Sequence, residues 1–185
     1  MNFHDSVASG SHLLTAVWAV FATLVLLRLD GDQPWPVRLA VGYFGFSMVV
    51  LYTSSGLYHG LRFNSDEDKT FWLRIDRSAI FLLILGSNLP MFAAYLTGWK
   101  RIVSTAVMTT IALVGIAFQW TATISQSIAI SSYLGMGAVG ALTLPWWIGT
   151  VPKGGLKWFA TAITIYVVGA LIEAARWPVP LPGIV

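Results

Sequence analysis

The chain has 185 residues, of which 56% are hydrophobic and 10% charged, with a mean hydropathy of +0.72. A soluble domain carries charge on about a quarter of its residues, so this composition excludes an ordinary water-soluble enzyme and points to a bilayer. The net charge of +3 comes from cations scattered at the ends of apolar runs, which suits lipid headgroups and forms no nucleic-acid patch; the absence of cysteine removes disulfide and thiolate chemistry.

Runs free of Asp, Glu, Lys and Arg cover residues 6–27, 39–61, 78–99, 102–152 and 158–172, and a crossing helix needs roughly 20 apolar residues. The first run predicts a span over about 10–28. It is too long for a cleaved signal peptide, and the residues ahead of it carry Asp5 and no Lys or Arg. The second and third predict spans over about 38–59 and 77–97. The fourth is 51 residues long and must hold two spans, about 102–121 and 128–148, divided at the polar stretch from Gln119 to Ser127. The fifth predicts the last span, about 157–175. The expected fold is therefore all-α, one polytopic transmembrane helix bundle with six spans. Trp35, Trp72, Trp99, Trp120, Trp146, Trp147, Trp158 and Trp177 all fall near predicted span ends, where aromatic belts form; only Trp18 falls inside a span. Lys and Arg divide five against six between the two sides, so charge does not orient the protein.

The second span ends with Ser55 and His59 four residues apart on one helical face, with Tyr52 a turn before them. Gly56 and Gly60 give that end the small-xxx-small spacing that lets membrane helices approach closely. The third span opens at Asp76, in a stripe continued by Ile80, Leu83, Ser87 and Pro90. An ionisable group costs roughly 2.5 to 3.5 kcal/mol at a span centre and less near an end, so Asp76 is affordable here. Two readings stay open on these residues: Asp76 caps its helix and pairs with Arg74 or Arg77, or it meets His59 in a functional site. Six antiparallel spans put His4, His12, His59, Asp76 and Glu173 on one membrane face. His12 opens a small, mildly polar stripe with Thr15, Ala16 and Ala19, and Glu173 follows a similar one with Tyr166, Gly169 and Ala170.

The combination Ser55-x-x-x-His59, Arg74-x-Asp76-x-x-x-Ile80 and Gly86-Ser87-x-x-Pro90 resembles the hemolysin III family, the bacterial branch of the progestin and adipoQ receptors. Ser11-His12-Leu13-Leu14 and Tyr166-Val167-Val168-Gly169-Ala170 agree with it. The resemblance implies a seven-helix bundle in a bacterial inner membrane, with zinc near the cytoplasmic ends of helices two, three and seven. By the same resemblance His59 is a zinc ligand, Asp76 holds or coordinates the attacking water and acts as the catalytic carboxylate, and Ser55 supports the site. Small departures are Arg77, where the family commonly has histidine, and Asn88-Leu89, where it has Tyr-Thr. The family's last helix supplies a His-x-x-x-His pair, whereas this sequence ends at Pro180-Leu181-Pro182-Gly183-Ile184-Val185.

Three accounts follow: the chain is a truncated seven-helix protein, His12 or His4 completes the metal set, or no metal binds. Truncation is the expectation, with little or no zinc retained. The expected function is zinc-dependent hydrolysis of membrane-lipid amides or esters, since the family's relatives include alkaline ceramidases. The alternative is a non-catalytic sensor or regulator of lipid composition. A pore-forming role ranks last, because no rows of ionisable residues line a water path. No phosphate-binding glycine loop, Gly-x-Ser-x-Gly elbow or His-Glu-x-x-His is present.

Overall fold

The structure, a computed structural model, describes residues 6–29 and 31–175, and every regular element among them is helical. In chain order these are α1 (Ser6–Leu29), α2 (Trp35–Gly60), α3 (Asp66–Tyr95), α4 (Gly98–Thr121), α5 (Gln126–Ala141), the single turn α6 (Leu144–Trp147) and α7 (Lys153–Ala175). Five segments, α1 to α4 and residues 126–147, are long and apolar enough to cross a membrane. Large apolar side chains such as Leu14, Val17, Trp18 and Phe21 of α1 point away from the rest of the protein. Such a surface is unfavourable in water and neutral against lipid tails.

Successive helices pack side by side with alternating direction. Thr23 meets Gly45 while Ser9 meets Gly60, which makes α1 and α2 antiparallel. Ser47 lies on Gly86 near the middle of α3, and the α4 residues Gly115 and Trp120 meet Phe81 and Ser78. Contacts of Phe81 with Tyr133, Asn88 with Gly140 and Tyr95 with Trp147 advance together along α3 and the 126–147 segment, so those two run parallel. The core lies between α3, α4 and α5, around Phe81, Phe92, Leu96, Met108 and Met136. From α7, Phe159 sets its ring against Trp147, with centroids 5.1 Å apart. Most of the remaining α7 side chains that are described are exposed.

Two boundaries differ from the spans read off the sequence. α3 begins at Asp66, eleven residues before the predicted span, because Ser65 caps it: its Oγ accepts from the Asp68 amide at 3.1 Å, and Asp66, Glu67 and Asp68 complement the positive end of the helix dipole. At about 1.5 Å per residue, the 30 residues of α3 run to about 45 Å, well beyond the roughly 30 Å hydrocarbon core. Its first turns therefore project past the membrane boundary, and Asp76 lies near that boundary rather than at the helix terminus. The helix expected over 128–148 breaks after Ala141. Pro145 has no amide proton for the Ala141 carbonyl, and Thr143 instead donates to Gly140 O at 2.7 Å and accepts from Trp147 Nε1 at 3.0 Å.

Candidate functional site

The site forms where the start of α1, the end of α2 and the early part of α3 come together. Gly56 and Gly60 make this approach close. A Cβ on Gly56 would lie 2.8 Å from the Leu13 side chain, and one on Gly60 would collide with the Ser9 hydroxyl. Ser9 donates to the Gly56 carbonyl at 2.8 Å, pinning α1 to the last turns of α2. His12, three residues further along α1, is then brought against Ser55 on the same helical face.

Ser55 is buried, with 8% of its surface exposed, and it occupies the centre of the cluster. Its Oγ is 3.0 Å from His12 Nδ1 and also hydrogen-bonds the Asp76 carboxylate. A serine hydroxyl has a single proton. When that proton is donated to Asp76, Ser55 accepts from His12 Nδ1–H, which fixes the histidine tautomer and leaves the Nε2 lone pair available. His59 completes the group, with its ring centroid 5.8 Å from that of His12 and its Nδ1 withdrawn from solvent. Tyr52 and Tyr58 wall the two imidazoles, at 6.0 Å from His12 and 5.1 Å from His59.

Asp76 does not take the capping role. Ser65 caps α3, and Arg77 turns away to donate to Ile124 O at 2.9 Å in the α4–α5 turn. Asp76 stands within electrostatic reach of His12, His59 and Arg77. His4 lies outside the described residues, as does the side chain of Glu173. Sequence reasoning passed over Ser9, although Ser9 and His12 have the three-residue spacing of neighbours on one helical face. It also passed over the cavity beside the site, about 610 Å³, lined by Tyr58, His59, Phe63, Asn64, Asp66 and Lys69. This opening lies at the α2–α3 connection and exposes His59 to it.

Two imidazoles and one carboxylate are, in kind, a catalytic zinc donor set. In the tautomer that donates Nδ1–H to Ser55, His12 presents Nε2 as metal ligands do. The spacing does not fit in this conformation. Among the described residues no three His, Cys, Asp or Glu side chains stand close enough together to hold a metal ion. His12 and Asp76 instead reach each other through the Ser55 hydroxyl.

Comparison with known proteins places the chain. A family model described as "Haemolysin-III related" matches residues 2–184. The "Hemolysin-3 homolog" of Bacillus subtilis (strain 168) is 28% identical over 115 residues, a match covering 62% of this chain and 52% of that protein, so the matched segment spans about half of the relative's length. With an all-helical membrane bundle and nearly every residue inside the family match, the chain belongs to the hemolysin III family of integral membrane proteins.

Proposed function

We infer that this protein hydrolyses the amide or ester linkage of a membrane lipid in a zinc-dependent site at the cytoplasmic leaflet of the bacterial inner membrane. The observation that carries this reading is the Ser55 hydroxyl held between His12 and Asp76, with His59 alongside and open to the cavity at the α2–α3 connection. His12, His59 and Asp76 carry the donor types that zinc takes, but to share an ion they would have to stand closer than they do in this conformation; zinc so held would polarise the scissile carbonyl. Asp76 accepts the proton of the attacking water, and Ser55 keeps the carboxylate and the His12 ring in register for that transfer. Tyr58 and Phe63 give the cavity an apolar wall for the substrate chains, while Asn64 and Lys69 sit where a lipid headgroup would lie.

The experiment is metal analysis of the full chain purified in detergent, combined with turnover of a fluorescent lipid amide. The wild-type chain is expected to retain substoichiometric zinc, His59→Ala to lower it further, and Asp76→Asn to reduce turnover by about 10²- to 10⁴-fold, the usual contribution of a general base. Unchanged zinc content in His59→Ala would remove the metal site. A second reading, a sensor of lipid composition that binds without turnover, is favoured by the closed His12–Ser55–Asp76 chain, which satisfies these polar groups without an ion. Saturable lipid binding with no product from a zinc-loaded sample selects it.

A further inference from the structure

A second concave surface lies at the other end of the helices, on the opposite face of α3. It is a groove of about 1240 Å³ between α2 and α4, floored by Leu89 and Ala93 of α3. At 3.6 residues per turn, Leu89 and Ala93 project about 220° and 260° round the helix from Asp76, so the groove faces away from the polar site. Its lining is apolar over most of its length, but two arginines, Arg38 of α2 and Arg101 of α4, stand on it. Both lie in the first turns of their helices, near Trp35 and near Trp99, whose ring packs 5.5 Å from Trp146. Tryptophans at this depth mark the headgroup level of a bilayer. From Trp35 to Phe46 the groove follows α2 for about 16 Å, about half the roughly 30 Å hydrocarbon core and therefore one leaflet.

We propose that this groove is a binding site for an anionic phospholipid of the leaflet opposite the His–Asp cluster, with its phosphate on Arg38 and Arg101 and an acyl chain along Ala40, Phe46, Leu89 and Ala106. Charge complementarity selects this occupant. Two guanidiniums at headgroup depth match a phosphodiester bearing net negative charge, and zwitterionic lipids offer them no net charge. The length of the apolar part matches a chain that reaches the midplane and stops. The site is distinct from the proposed catalytic centre and does not depend on hydrolysis or on zinc.

The test is native mass spectrometry of the full chain released from mixed micelles containing equal phosphatidylglycerol and phosphatidylcholine. The wild type is expected to retain phosphatidylglycerol about tenfold over phosphatidylcholine. Arg38→Gln combined with Arg101→Gln is expected to abolish that preference, whereas Lys153→Gln combined with Lys157→Gln, which removes equal charge elsewhere, keeps it. Ala106→Trp fills the groove without touching either arginine and is expected to lower retention of both lipids. Circular dichroism showing wild-type helicity qualifies each variant. Equal retention of the two headgroups by the wild type, preference surviving loss of both arginines, or a chain dimer abolished by Ala106→Trp would each overturn the proposal.

Discussion

Ser55 is the residue on which the polar cluster turns, because its hydroxyl is the link through which a histidine of α1 and a carboxylate of α3 meet. Removing it leaves two half-buried polar groups without that bond, and a buried group deprived of its partner costs about 1–3 kcal/mol. Ser55→Ala is therefore expected to destabilise the protein by about that amount in denaturant titrations in micelles. Ser132→Ala is the control, because Ser132 donates within its own helix, to Ala129 O at 2.7 Å. Its loss should stay within about 0.5 kcal/mol. Equal losses in the two variants would mean that Ser55 does not couple the helices. The common helical face of Ser55 and His59 was legible in the sequence as a four-residue spacing, and the shared end of His59 and Asp76 followed from counting spans. The stripe of His12, Ala16 and Ala19 marked the face that α1 buries, but the His12–Ser55 bond itself was not legible, because a stripe on one helix does not say which residue of the next helix it meets.

At the level of the helices, the seam between α1 and α2 sets the site, and glycine spacing sets the seam. Gly60 would place a Cβ 3.3 Å from the Ser9 Cβ, close to the roughly 3.5–4.5 Å separation of a disulfide. The natural chain has no cysteine, so a pair introduced as Ser9→Cys and Gly60→Cys is read without background. It is expected to form a disulfide on mild oxidation, detected as protection of both thiols from alkylation. Adding Gly56→Val, which drives a side chain into Leu13, should sharply reduce that protection, and two thiols that remain freely alkylated in the glycine parent would contradict the packing of α1 on α2. Gly56 and Gly60 announced this seam by their spacing alone. The start of α3 was obscured because hydropathy marks the part of a helix inside lipid, whereas Ser65 and the acidic turn after it begin the helix in water. A serine followed three residues later by an acidic residue was the available signal. Pro145 was similarly visible, but whether a proline kinks or breaks a helix is decided by what satisfies the freed carbonyls, here Thr143 and its neighbours.

On the scale of the whole molecule, orientation is what the cations could not supply. The antiparallel succession of α1 to α4, with α5 parallel to α3, puts residues 61–65 and 122–125 at one end of the bundle and residues 31–34 and 148–152 at the other. Arg77 on Ile124 and Trp120 on Ser78 hold the first of these ends together, next to the polar site. Most of the cations at that end belong to the 62–77 stretch, and those at the other end are spread over three connections, so nearly equal totals hide an unequal distribution. The positive-inside tendency acts most strongly through short loops close to the span ends. Here it is balanced on both sides, and topology has to be measured directly. Single-cysteine variants Asn64→Cys and Thr123→Cys, compared with Gln33→Cys and Gly149→Cys, give four reporters in a cysteine-free background. In sealed right-side-out cytoplasmic-membrane vesicles, a membrane-impermeant maleimide is expected to label the second pair and to reach the first pair only after permeabilisation. Any split other than these two pairs would contradict the helix order itself. The reverse pattern would preserve the fold and move the His–Asp site to the outer face.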